Sequence, residues 1–426
     1  MYDRPVIDQP GRIMDAVDRG WSEQVAFLRA LVAQPSVLGR TNGVMEVAAP
    51  LLAQLGMRVE RVGLDLDVLR RQPGFSSPGW SYEGLYNLVG RLAGTGGGRS
   101  LVLNGHLDVV PSTPDEHWNH DPWAGEIEDG LFFGRGAADM KSGVSAMLFA
   151  LRAVKEADAR LGGDVVAQLV IDEECSGNGT LACLAAGAVG DACIVPEPFG
   201  LAMVSAHPGV LWARVTVRGR AAHAALASGA VNSAEKMYVV LQAVRELERE
   251  VNATELRHPA FEGVEHPLNH NVGQLHAGDW TSSVPEVCTM DVRFSCYPGE
   301  DLDAVQRRFA DRVSAAAAAD EWLREIPPEV RFFGFRAEGV IYDGASDIAR
   351  VLASCHQAVT GRECQRVTST ATIDNRFFDL HFGIPSVCYG PAGGQLHAPD
   401  EWVDLESVRT CTKVLACTIA DWCGAR

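Results

Sequence analysis

The stretch LVLNGHLDVV, residues 101–110, places His106 and Asp108 two apart. An apolar strand is expected to run out there, with Asn104-Gly105 read as a turn. Burying an imidazole or a carboxylate costs several kcal/mol unless the group is paired or coordinated. Comparable groups recur where other elements end. Asp139 lies in GRGAADMKSG, a glycine-rich loop opening a helix. Asp172, Glu173 and Glu174 follow the apolar AQLVI. Glu197 lies in IVPEP, and His397 in GGQLHAPDEW. Singly, each has an ordinary reading: a hydrogen-bonded core histidine, a helix-capping aspartate, a solvated pair of glutamates. Gathered at one crevice, they would repel and stay unpaired without a cation. Mixed nitrogen and oxygen ligands suit zinc, manganese or cobalt better than calcium or magnesium. Five ligands exceed one tetrahedral site, which points to two divalent ions sharing a carboxylate.

The elements around these residues explain how they could meet. Apolar runs at MRVERVGL, YNLVGRLAG, SLVLNGH, DVVAQLVID, DACIVPEP and PSVCYG read as strands. WSEQVAFLRALVA, MEVAAPLLAQ, DMKSGVSAMLFALRAVKEA, GTLACLAAG and SDIARVLASCHQAVTG read as helices. Alternating strands and helices predict a doubly wound α/β domain on a mainly parallel sheet. In such a sheet the carboxyl ends of the strands form the ligand crevice. After about Ala206 the pattern changes. GVLWARVTVRGR alternates at period two; a helix over 233–251, two strands, a helix from Asp301 and the strand PEVRFFGF follow. That β-α-β-β-α-β order predicts an inserted α+β ferredoxin-like unit. The expected division is a catalytic domain of residues 1–207 and 336–426, and an inserted dimerisation or lid domain of 208–335. An unpaired edge of the inserted sheet would suit a homodimer or higher homo-oligomer.

The chain has 426 residues, 47% hydrophobic and 22% charged, with a net charge of −18. That charge argues against nucleic acid and anionic membrane surfaces as partners. The N-terminal MYDRPVIDQPGRIMDAVDRG lacks the apolar centre of a signal peptide, and no run of residues is long enough to span a membrane. The 11 cysteines contain no CxxC pair and read as free thiols of a cytoplasmic protein.

Five ordered motifs, NGHLDVVP, GRGAADMKSG, DEECSGNGT, PEP and LHAPDEWV, resemble the metal motifs of the acetylornithine deacetylase and succinyl-diaminopimelate desuccinylase family, which includes aminoacylases and carboxypeptidases. The resemblance covers nearly the whole chain. It implies two divalent metals, zinc foremost with manganese or cobalt as alternatives. His106, Asp139 and Glu197 would hold the first; Asp139 would bridge to a second held with Glu174 and His397. Asp108 would orient the other nitrogen of His106. Glu173 would be the general base, taking a proton from the attacking water and passing it to the leaving nitrogen. In VRGRAAHAA, His223 would reach across a dimer to the oxyanion in the partner's site. Asn271 and Arg293 are candidates for a substrate carboxylate, with Arg376 and Thr372 behind them. Arg293 reads equally as a structural partner of Asp291.

The expected activity is hydrolysis of a C–N bond in a small carboxylate-bearing substrate, foremost deacylation of an N-acyl amino acid. An alternative is hydrolytic deamination of an aminoaromatic acid with release of ammonia, as in a nitroanthranilate aminohydrolase, which the resemblance includes. A non-catalytic binding protein is a third reading.

Overall fold

The computed structural model of the chain describes residues 9–112 and 114–425. Its main sheet has six strands in the order Arg58–Gly63, Tyr86–Leu92, Val165–Val170, Leu101–His106, Cys193–Val195 and Ser386–Cys388. The last four run parallel. Tyr86–Leu92 runs antiparallel to both of its neighbours. Leu101–His106 and Val165–Val170 are buried at every residue, as parallel strands covered on both faces must be. The turn expected at Asn104-Gly105 does not form. Asn104 donates its side-chain amide to Gln168 Oε1 (2.8 Å) and Thr180 Oγ1 (3.0 Å). Its polarity is thereby satisfied inside the sheet, and the strand continues to His106.

One hydrophobic core joins this sheet to the helices Gln9–Val32, Asn42–Gln54, Ser142–Glu156, Asp347–Thr360 and Leu405–Trp422. Ser142–Glu156 is buried around most of its circumference, as an apolar helix in a large core is. It starts very close to the strand end that carries Glu197. A Cβ on Gly143 would lie 2.0 Å from the carbonyl oxygen of Pro196. The first helix begins at Gln9, well before the expected Trp21. Ile13, Ala16 and Val17 extend its buried stripe, and Pro10 falls in the first turn, where a missing N–H costs nothing. Leu405–Trp422 has no counterpart among the expected helices. Its threonines and cysteines are weak helix formers. Burial of Val408, Cys411, Val414, Leu415 and Ile419 decides it, with Asp404 capping through the Ser407 N–H at 3.0 Å.

From Gly209 to Ala337 the chain forms strand, helix, two strands, helix and strand. The four long strands form an antiparallel sheet in the order Asn271–Ala277, Val287–Cys296, Gly209–Arg218, Glu329–Ala337, the ferredoxin-like arrangement. Along Gly209–Arg218, Leu211, Ala213, Val215 and Val217 face the helices Ser233–Val251 and Leu302–Ala319 in a second core. Asn232 caps the first of these helices and Asp301 the second. All eleven cysteines are free. Among the described residues no helix is long and apolar enough to cross a membrane. Residues 1–8 of the N-terminal stretch read for a signal peptide lie outside the described residues.

Candidate active site

Three adjacent parallel strands end at one crevice. His106 is the last residue of its strand, Glu173 and Glu174 follow Val165–Val170, and Glu197 follows Cys193–Val195. Asp139 comes from the loop before Ser142–Glu156. Its Oδ1 lies 3.0 Å from His106 Nε2, and its Oδ2 3.5 Å from His397 Nε2. One carboxylate thus stands between two imidazoles. On the first side, Glu197 Oε1 is 3.6 Å and Glu173 Oε2 3.9 Å from His106 Nε2. On the other, both oxygens of Glu174 approach His397 Nε2, at 3.2 and 3.1 Å. His106, Glu173 and Glu197 are buried, whereas His397 is about half exposed.

So many carboxylates out of water need positive charge. Burial works against a charged His106. Glu197, Asp139, Glu173 and Asp108 outweigh it and lift its pKa well above the ordinary range. Burial, reinforced by neighbouring carboxylates and opposed by His106, pushes Glu173 and Glu197 well above the carboxylate range. The charge of Glu174 is the leading cause that pushes His397 up to about 11. Without a cation the cluster must carry protons to exist; a divalent ion removes that need. Ligand atoms of His106, Asp139 and Glu174 lie within 4.8 Å of one another. The nitrogen and oxygen donors suit zinc or a similar ion. The residues present therefore fit a metal centre.

The supports around these groups differ in part from expectation. The second nitrogen of His106 faces the backbone carbonyl of Asp108 at 2.9 Å, while the Asp108 carboxylate is 3.7 Å away. That carboxylate instead accepts the N–H groups of Glu173 (3.3 Å) and Glu174 (3.2 Å) and so fixes their turn. Asp172, the residue before the expected base, accepts from Trp80 Nε1 (3.0 Å), Tyr82 Oη (2.6 Å) and Ser176 Oγ. Glu401, present in LHAPDEWV but without an assigned role, is buried beneath Asp139. Its Oε1 accepts the N–H groups of Ala138 and Asp139 at 2.9 and 3.1 Å. Its Oε2 accepts from Gly136 N–H at 3.0 Å and Arg135 Nη1 at 2.6 Å. Two buried acids holding loops, Asp172 and Glu401, were legible only as charges beside a motif.

The remaining candidates lie elsewhere. His223 is exposed on the inserted unit, on a two-residue strand pairing with Ser283–Val284, and accepts the Ala225 N–H. Asn271 and Arg293 sit directly opposite each other on neighbouring strands of the inserted sheet. Asp291 is paired with Arg214, not with Arg293. Arg293 donates to Asn269 O, Ser295 Oγ and Thr370 O. It has no carboxylate partner among the described residues, and burial lowers its pKa to about 10. Arg376 is fully buried, with Nη2 on Ser176 O and Nη1 3.6 Å from Glu338. It clamps the loop behind Glu173 and Glu174 and does not open to the crevice in this conformation. His120 stacks on Phe133 and pairs with Asp400.

The profile of peptidase family M20/M25/M40 matches residues 102–421. The chain belongs to that family. An N-formyl-4-amino-5-aminomethyl-2-methylpyrimidine deformylase of Bacillus subtilis is 31% identical over 375 residues, covering 83% of this chain and 87% of that protein. Among solved structures, a di-peptidase of Saccharomyces cerevisiae superposes with a TM-score of 0.78 at 14% identity, covering 97% of this chain and 98% of that one. A dinuclear metal binding peptidase of the M20 family from Bacillus subtilis superposes with a TM-score of 0.59 at 14% identity, covering 95% and 98%. Like its M20 relatives, the chain is a metal-dependent hydrolase of C–N bonds in small substrates.

Proposed function

We propose that this M20 chain removes a short acyl group, formyl foremost, from the amine of a small aromatic or heteroaromatic compound. It would do so with two divalent cations, zinc foremost and manganese or cobalt as alternatives. The observation that carries the reading is the Asp139 carboxylate standing between His106 and His397, with Glu173 beside it and engaged by neither Asp139 nor His397. His106, Asp139 and Glu197 would hold the first ion; Asp139, Glu174 and His397 would hold the second. When bound, the ions would supply Lewis acidity to the amide carbonyl and lower the pKa of water toward neutrality. Glu173 takes the proton of the attacking water and delivers it to the leaving nitrogen. Asp108 and Asp172 keep Glu173 in place through its backbone and its turn. The preference for a formamide on a ring rests on the Bacillus subtilis relative, whose name specifies a formylated aminomethylpyrimidine.

A second copy of the chain completes the site through His223, which donates to the oxyanion. Two observations support a homodimer. The strand Asn271–Ala277 is an exposed edge of its sheet, and Leu275 and Trp280 beside that edge are 53% and 72% exposed. A cytoplasmic setting fits the free cysteines. A second substrate reading, an N-acyl amino acid, is favoured by Arg293, a half-buried guanidinium with no carboxylate partner among the described residues that would receive the substrate's own.

The test is a substrate panel: N-formyl aminomethylpyrimidine, N-formyl and N-acetyl amino acids, and aminobenzoates. Formate, acyl acid and ammonia are measured separately. Formate release that stops on chelation and returns with zinc, manganese or cobalt is expected. Ammonia without an acyl product would instead identify an aminohydrolase, and full turnover by metal-free protein would defeat the proposal.

A further inference from the structure

The inserted sheet has two unlike faces. One is covered by helices. The other carries a small separate core of Val210, Phe335 and Ala337, with the half-buried Trp212 packed against it. Residues directly opposite on neighbouring antiparallel strands share a face. Asn271 is opposite Arg293, and Arg293 is opposite Trp212. One row therefore runs from a polar end to an aromatic end. Where the fourth strand should continue that row, its register slips between Phe332 and Arg336. Such bulges re-aim side chains and cluster near active sites.

The bulge carries Phe333, Gly334 and Phe335. The Phe333 ring lies 5.8 Å from that of Trp212 at 62°, and the Phe335 ring 5.3 Å at 79°. Trp212 and Phe333 are both only half-buried. Gly334 holds a φ of +60°. A Cβ there would sit 2.5 Å from Trp212 Cε3 and 3.2 Å from the carbonyl oxygen of Cys175, the residue after Glu174. No side chain other than hydrogen fits between the bulge and the loop of Glu173 and Glu174. From the other side, Ser77 O accepts the Gly334 N–H at 2.8 Å. A few residues on, Trp80 and Tyr82 hold Asp172. The aromatic end of the row is thus tied on both sides to the segment that carries Glu173.

We infer that Trp212 and Phe333 form the wall that receives the ring of the substrate, making them specificity-determining residues. This rests on the proposed deacylation. An offset or edge-to-face ring contact, together with the area it removes from water, favours an aromatic amine over an alkyl one.

The experiment compares N-benzylformamide with N-propylformamide for wild type, Trp212→Ala, Trp212→Phe and Phe333→Leu, each checked by circular dichroism and thermal unfolding. Wild type is expected to prefer the benzyl compound in kcat/KM. Trp212→Ala and Phe333→Leu should lower the benzyl-to-propyl ratio about tenfold, and Trp212→Phe should restore most of it. A ratio that is the same in all four proteins overturns the inference. If wild type hydrolyses neither formamide, the proposed deacylation fails on its own, and calorimetric binding of N-benzylformamide judges the wall. Weaker binding to Phe333→Leu and Trp212→Ala than to wild type supports it; equal binding refutes it.

Discussion

Replacing Glu401 by glutamine should loosen the loop that presents Asp139. The two carboxylate oxygens of Glu401 accept four hydrogen bonds from residues 135–139, and Glu401 and Arg135 are 1% and 2% exposed. Glutamine keeps the shape but turns one oxygen into a donor. If the amide faces Arg135, a buried charge loses its partner, which costs about 3–5 kcal/mol. If it faces Ala138 and Asp139, two buried N–H groups are orphaned at about 1–3 kcal/mol each. Either way the unfolding free energy should fall by on the order of 4 kcal/mol. The displaced Asp139 should also bind its ion less well. A tenfold weaker affinity removes about 1.4 kcal/mol of the stabilisation that added zinc gives. Urea unfolding of both proteins, stripped and with excess zinc, measures both effects. Zinc titration of the stripped proteins gives the affinity directly. An unfolding free energy within about 1 kcal/mol of wild type, with the zinc effect unchanged, would refute the reasoning.

Glu173→Gln should lower kcat by roughly a thousandfold, while metal content by emission spectroscopy matches wild type; loss of metal together with activity would make Glu173 a ligand and not the base. His207 is buried with its Nδ1 on Pro208 O, and burial lowers its pKa to about 4. Between pH 6.5 and 4 the unfolded chain binds a proton at this ring that the folded chain does not. Stability therefore falls on acidification by about 1.4 kcal/mol per pH unit, on the order of 3 kcal/mol in all. In His207→Gln that acid loss should be smaller, as read by unfolding at several pH values; an identical slope counts against the assignment. Gly143→Ala would press a methyl group against the Pro196 carbonyl and should cost about 1–3 kcal/mol; a Tm unchanged from wild type would show that the helix start yields freely.

The order of the main-sheet strands and of the inserted unit was written in the chain, whereas the last helix, Leu405–Trp422, was not. Alternating runs such as ARVTVR and mostly apolar runs such as VVAQLV report whether one face or both are covered, because side chains alternate along a strand. The strand ends made His106, Glu174 and Glu197 candidates for one crevice, because parallel strands deliver their ends to one edge; the ligand set of His106, Asp139, Glu174, Glu197 and His397 came from the family resemblance of the motifs that carry them. What stayed hidden were supports that depend on partners far away in sequence. Glu401 reaches 262 residues back to Asp139, and Trp80 reaches 92 residues on to Asp172. No local pattern encodes such pairs. The same holds for Asn104, a turn signal by its own preference and a strand residue once Gln168 and Thr180 take up its amide. The sequence by itself determined which groups would crowd one crevice, since residue type and element period are local properties. Only the tertiary structure decided which carboxylate faces two imidazoles, which acids merely hold loops, and that an aromatic bulge of the inserted sheet lies against the Glu174 loop. Those outcomes depend on distances between segments that meet only when the two cores have formed.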